Sequence, residues 1–530
     1  MEHGDLAQLA ACIGAVGVAA LLLGRDRRAV LLGIGILGAA EVALAVALVP
    51  RHDVYRLLPA LPVVAVVAGL LAIPLVRRPE VIPVALLVAA PFRVPVTVGH
   101  ERAFLLLPLY LTLGAATIAF VARAARANAI GPLPAALAVP VTAFLALDAV
   151  SLLWSRDIRE GSIELLFFLL PFGLLVAIVA RLPVAEWLPR ALGVTLVAMA
   201  GLFAAIGLWQ VWSHHLFFAQ DLEVANAYTT FFRVTSVFKD PSLYGRELVA
   251  AMAILLVALW RGWIRPILAL PVLALLAAGL YFSYSQTSFF TLFAVAAAIA
   301  LVFGERSTRF AIVAVVAAIA VGGGAIVAAT SNGSHNRVTS GRSRLIHVTA
   351  VVFRDHPLVG VGVGAQPKAS RTDAHSRQGA RRDASHTTPL TVAAELGLVG
   401  IAAYVAFLVG SALTLLAAAR RRPEIGLAAS AVFFVVFVHA LSYSGFFEDP
   451  LMWGSLAVSA AVLWPLRARE PAPDIPEQPG DDGPVRGATK VHGPGGEDLG
   501  ATRGAVVGHL GRAAAPENVR NAGEDGRAGG

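Results

Sequence analysis

The sequence predicts an all-α, polytopic integral membrane protein of about 12–15 transmembrane helices, with one long extracytoplasmic loop carrying short helices. Three observations predict it. The 530 residues are 57% hydrophobic and only 14% charged, with a mean hydropathy of +0.74. Apolar runs of about 20 residues recur, each long enough to cross ~30 Å of hydrocarbon as a helix. The runs are continuous rather than alternating, and backbone in lipid must satisfy its own hydrogen bonds, so they read as helices.

In chain order the spans fall at roughly 7–24, 29–49, 58–76, 81–98, 104–122, 133–153, 163–181, 187–212, 245–260, 266–283, 288–303, 310–329, 388–419, 425–445 and 451–466. Some early runs contain Pro and Gly and suit re-entrant segments. The acidic start and the arginines after the first run predict a retained span rather than a cleaved signal. Residues 1–212 form an N-terminal set of spans. Residues 213–466 form a core with two outer loops, 213–244 and 331–387. Residues 467–530, rich in Gly, Pro and mixed charge, form a tail without apolar periodicity, expected to be disordered.

Orientation follows from short loops. Arg25, Arg27 and Arg28, then Arg77 and Arg78, Arg123 and Arg126, Arg181 and Arg190, Arg261 and Arg265, Arg306 and Arg309, Arg420 to Arg422, and Arg467 and Arg469 mark alternate span ends. Positive charge near span ends stays cytoplasmic, so the N-terminus is expected outside, the tail inside, and both long loops outside. This turns the two long loops, and with them the expected working face, outward.

The loop 331–387 is the longest polar interruption between apolar runs. It holds eight Arg and one Lys against three Asp, with five His besides. In a membrane protein such charge points to anionic lipid or phosphate rather than nucleic acid. Within it Leu345, Val348, Val352 and Phe353 recur at helical spacing, which predicts a short amphipathic helix. Gly360, Gly362 and Gly364 should end that helix and let the backbone pass close to something.

Arginine binds phosphate through a planar fork and keeps its proton. Arg233, with Lys239 and Arg246 nearby, and Arg342, with Arg344, make two cationic sets on one face. Together they suit the pyrophosphate of a lipid-linked donor. For the arginines of 371–382, lipid headgroups or solvent are the simpler partners. His386 precedes an apolar span, where a neutral imidazole can take a proton from a hydroxyl, although an interfacial His without a role has the same appearance. Glu41, Arg93, Asp148, Glu164, Glu395 and His439 fall inside spans, where ionisable groups are either paired or functional. The single cysteine, Cys12, excludes an internal disulfide, and no H-E-x-x-H or other close metal-ligand spacing occurs.

Three stretches then resemble a known family, the O-antigen ligase and polymerase superfamily of bacterial envelope-glycan proteins. The first runs from Arg233-Val-Thr-Ser-Val-Phe-Lys-Asp-Pro241 to Gly245. The second runs from Gly341-Arg342 to His356-Pro357-Leu-Val-Gly360-Val-Gly362. The third runs from Ser385-His386-Thr-Thr-Pro-Leu390 through Glu395 to Gly397 and Gly400. Departures are Ser236 for a glycine, Ser242 for an asparagine, Ile346 for a tryptophan, Thr387 for an asparagine, and Ser285-Gln286 where a serine–arginine pair is common. The resemblance implies an enzyme, a polysaccharide polymerase or glycan ligase that uses an undecaprenyl-pyrophosphate-linked glycan without metal or other cofactor. Its acceptor would be another glycan, a lipid or a protein. Arg233 and Arg342 would hold the pyrophosphate and stabilise its charge, and His386 would orient or deprotonate the acceptor hydroxyl. Lys239, Arg246, Arg344 and Glu395 would bind substrate. The alternatives are a polysaccharide or lipid-linked oligosaccharide transporter, against which the lack of a clear internal repeat weighs, and a non-catalytic membrane partner of a glycan assembly system.

Overall fold

A computed structural model describes residues 3–49, 59–98, 101–126, 130–229, 231–307, 309, 342–373, 385 and 387–464. All of them belong to one unit, Met1–Ala468. The expected span 310–329, most of the basic run 371–382, His386 and the tail 467–530 lie outside the described residues.

The helices follow the apolar runs. They are α1 (His3–Leu23), α2 (Arg27–Leu48), α3 (Ala60–Arg77), α4 (Ile82–Ala89), α5 (Leu107–Arg126) and α6 (Ala135–Ser151). Next, α7 (Ile158–Glu164) passes through a π-helical turn, Leu165–Leu169, into α8 (Leu170–Val179), followed by α9 (Leu188–Ser213) and the short α10 (Gln220–Asn226). The core continues with α11 (Pro241–Trp260), α12 (Pro266–Ser283), α13 (Gln286–Phe303), α14 (Arg342–Asp355), α15 (Gln366–Asp373), α16 (Thr388–Arg421), α17 (Pro423–Ala440) and α18 (Pro450–Leu463). Among the described residues ten helices are long and apolar enough to cross a membrane, with α3 and α4 forming a bent pair and α6 and α18 shorter apolar helices. The chain is an all-α, multi-pass membrane protein.

One expected span takes another form. The run 81–98 is helical only to Ala89, and α3 meets the next helical segment at 112°. The chain then turns at Pro91 into a hairpin of β1 (Val94–Val98) and β2 (Glu101–Leu105), paired antiparallel with Val94 opposite Leu105. Prolines at 79, 83, 91 and 95 remove helix donors, and Val-Pro-Val-Thr-Val is rich in β-branched residues that suit strands. Continuous apolarity alone does not separate this segment from a span.

Two local devices show how the bundle closes its backbone accounts. Pro171 has no amide to give Phe167, and the Tyr110 hydroxyl donates to that carbonyl at 2.6 Å, beside the π-helical turn. Arg181 donates to the carbonyls of Leu21, Gly24, Gly131 and Ala177, placing one cation at the C-terminal ends of α1 and α8. Near the opposite ends, Phe144, Tyr404, Phe407, Phe446, Phe447 and Trp453 form one aromatic cluster, with Phe144 and Phe447 stacked 4.3 Å apart.

Candidate functional site

The predicted amphipathic helix is α14. It buries Val348, Thr349 and Val352, leaves Leu345 and Phe353 half-buried, and packs on α15 and α16. The glycine run after it threads between two backbones. Gly360, Gly362 and Gly364 all have positive φ (65°, 90° and 70°). A Cβ at Gly360 would run into the backbone of Glu395, one at Gly362 into Ser155, and one at Gly364 into Gly161. On one side the Val361 and Gly362 amides donate to the carbonyls of Ala394 and Glu395 at 3.1 and 2.8 Å. On the other, Ser155 Oγ donates to the Val363 carbonyl and the Val363 amide donates to Ser151 Oγ.

These contacts require α16 to break. Gly397 sits at φ 64°, ψ −156°, outside any helix. The Leu398 and Val399 amides that the break frees donate to Pro357 and Leu358. Glu395 is buried beside the break, and its Oε1 accepts the Gln366 amide at 3.1 Å. Gln366 in turn donates through Nε2 to Thr349 and Ser370. The geometry therefore commits Glu395 to the start of α15. A latch completes this half: Arg156 Nη1 donates to both carboxylate oxygens of Asp373 at 2.9 and 2.8 Å, Nη2 lies 2.7 Å from His356 Nε2, and the Arg156 carbonyl accepts Lys368 Nζ.

The second half forms around Arg233. Asn226 brackets its backbone, accepting from the Arg233 amide and donating to the Arg233 carbonyl. The half-buried guanidinium donates through Nε to the Ser283 carbonyl at 3.3 Å. Among the described residues its two terminal nitrogens have no hydrogen-bond partner. Burial lowers its pKa from the ordinary value and Asp240 opposes the shift; an arginine so placed stays cationic. Three residues on, Ser236 holds φ 53° where the family pattern has glycine. Gln210 makes that turn possible: its Oε1 accepts the Thr235 and Ser236 amides, and its Nε2 donates to the Ser236 carbonyl.

Two helix N-termini meet beside this loop. Ser285 caps α13, and its Oγ lies 3.3 Å from Ser242 Oγ in the first turn of α11 and 2.9 Å from Ser288 Oγ. Arg233 grips the carbonyl two residues before that cap. The arrangement brings an arginine fork and the half-buried Ser242 to a corner where two helices begin; Ser285 and Ser288 are buried, and the Asp240 carboxylate caps α11 at 2.6 Å from the Ser242 amide.

The other expected site residues divide. Arg246 is buried and ion-paired with Asp449 at 2.6 Å, and Asp449 also caps α18 through the Leu451 amide. Lys239 is exposed, 5.6 Å over the Phe104 ring of the hairpin. Arg342 and Arg344 open α14, and their side chains lie outside the described residues, as does all of His386. The flanks of His386 are built: Ser385 Oγ donates to the Thr387 carbonyl and meets Thr391 Oγ1 at 2.6 Å. Residues that sequence reasoning passed over are Arg156, Gln210, Glu448 and Asp449. Glu448, half-buried and without a hydrogen-bond or ion-pair partner among the described residues, stands on a loop held by Phe446, Phe447 and Asp449. Only Asp449-Pro450 carried a readable signal, an N-cap followed by proline at the helix start.

Residues 271–405 match the family model described as O-antigen ligase, from within α12 to the first half of α16. The second and third motifs lie inside this match, and the Arg233 motif lies ahead of it. No curated protein matches the chain.

Proposed function

We propose that this multi-pass membrane protein, which carries an O-antigen ligase domain over residues 271–405, transfers or polymerises glycan from undecaprenyl pyrophosphate on the outer face of the cytoplasmic membrane. The domain match supports a glycan-processing membrane enzyme working on a lipid-linked glycan and an acceptor. The finer reading rests on one observation: among the described residues Arg233 has two guanidinium nitrogens without a hydrogen-bond partner, and its Nε holds the Ser283 carbonyl two residues before the cap of α13.

In this reading the pyrophosphate of the donor occupies that corner. An acceptor hydroxyl oxygen attacks the anomeric carbon, the bond from that carbon to the phosphate oxygen breaks, and undecaprenyl pyrophosphate leaves with the bonding pair. Charge grows on the leaving oxygen, so cations and dipoles fixed beforehand stabilise the transition state more than the ground state. Arg342 adds a second cation, and His386 takes the acceptor proton. Arg246 and Glu395 support this site rather than touch substrate, since Arg246 is committed to Asp449 and Glu395 to the Gln366 amide. The arginine clusters at alternate span ends support the outward placement.

Arg233→Ala tests the reading. It should cut glycan transfer at least ~100-fold, on the scale of losing one transition-state donor, with protein level unchanged. Arg233→Lys should restore part of it, because lysine keeps the charge and loses the fork. Full transfer by Arg233→Ala, Arg342→Ala and His386→Ala alike would overturn the proposal.

A further inference from the structure

Three aromatic rings adjoin Arg233, and nothing in the phosphate chemistry above uses them. The segment 231–234 runs antiparallel to 282–284. The Val234 amide donates to the Phe282 carbonyl at 3.1 Å, Arg233 Nε to the Ser283 carbonyl at 3.3 Å, and the Phe231 and Tyr284 rings lie 4.6 Å apart. Tyr281 continues the set, 5.8 Å from Tyr284. Phe231 and Tyr281 remain 41% and 56% exposed, so the rings present open surface.

Tyr284 is held in an unusual way. It ends α12 in the left-handed region, φ 49°, ψ 30°, a position that glycine fills at no steric cost and a bulky residue rarely adopts. Glycine there would keep the cap and lose the ring. Strain retained for a side chain accords with a working surface.

We propose that Phe231, Tyr281 and Tyr284 form a shelf for the first sugar ring of the lipid-linked glycan. The inference rests on Arg233 holding the pyrophosphate. One ester bond joins that pyrophosphate to the sugar, so a phosphate on Arg233 carries the sugar to the adjoining rings. The apolar C–H face of a pyranose fits an aromatic face, and the Tyr281 and Tyr284 hydroxyls suit its polar edge. Height favours sugar over the prenyl tail. The shelf stands at the end of α12 opposite Arg265, about 27 Å away along 18 residues. That is the full depth of the hydrocarbon, so the rings lie where the headgroup and glycan are.

The test uses the full chain in lipid nanodiscs with two probes, undecaprenyl pyrophosphate and undecaprenyl-pyrophosphoryl-N-acetylglucosamine, and reads the ratio of their affinities. Wild type should bind the sugar-bearing probe about tenfold more tightly, on the scale of ring stacking. Phe231→Ala and Tyr281→Ala, both at exposed positions, should bring the ratio close to one and leave the sugar-free probe unchanged. Tyr281→Phe should retain most of the preference. A wild-type ratio of one, or equal weakening of both probes by the alanine variants, would overturn the shelf; the second result would assign the rings to the prenyl chain or the membrane interface. Arg233→Ala reports separately: it should weaken both probes together, and unchanged binding of the sugar-free probe would count against the pyrophosphate reading instead.

Discussion

Ser236 shows how a single departure from a pattern is absorbed. Its backbone keeps the left-handed conformation that the glycine of related motifs adopts freely, and Gln210 holds it there with three hydrogen bonds. A β-carbon in that region costs about 1–2 kcal/mol. Ser236→Gly should therefore stabilise the protein by roughly 1 kcal/mol, less the added entropy of the unfolded glycine chain. A thermal unfolding series in detergent checks it, and a loss of stability would show that the serine contributes a contact of its own. Arg233 stands out in the sequence because a motif surrounds it, and its role remains the proposal that the Arg233→Ala variant tests. Arg246 and Glu395 were visible as charges, but their tasks were not. Arg246 answers Asp449, some 200 residues away, and Glu395 answers the backbone of Gln366. Sequence shows a charge; only the fold shows what neutralises it.

At the scale of elements, hydropathy located nearly every described helix, because length and apolarity are what a span requires. It failed at 81–98, where proline and β-branched residues make a short helix and a hairpin from an equally apolar run. The break in α16 was legible only as a glycine spacing. Its cause is the thread of residues 357–364, which takes the amides and carbonyls that the break releases. Glu395 fastens the far end of that thread, which leads to a prediction about the element rather than the chemistry. Glu395→Gln keeps an oxygen for the Gln366 amide and should leave folding and transfer near wild type. Glu395→Ala leaves that buried amide unsatisfied, at a cost of about 1–3 kcal/mol, and should lower yield and thermal stability. If Glu395→Gln instead kept stability and abolished transfer, the carboxylate would belong to the reaction.

Across the whole molecule, arginine clusters mark one set of span ends, and the Arg233 corner, proposed above to hold phosphate, and the glycine thread gather at the other. This division follows from elementary physics. Cations stay where the membrane potential and anionic lipids hold them, while irregular backbone can exist only where protein or water covers its polar groups. The central claim is chemical: a glycosidic bond forms as a bond to lipid pyrophosphate breaks. The most direct measurement supplies purified, reconstituted protein with an undecaprenyl-pyrophosphate-linked oligosaccharide and counts two products in one reaction. The account predicts one undecaprenyl pyrophosphate released for each new glycosidic bond, with a ladder of sizes marking a polymerase and a single shift on an acceptor marking a ligase. Oligosaccharide that crosses the bilayer still joined to its lipid, with no pyrophosphate released and no bond formed, would contradict it and identify a transporter.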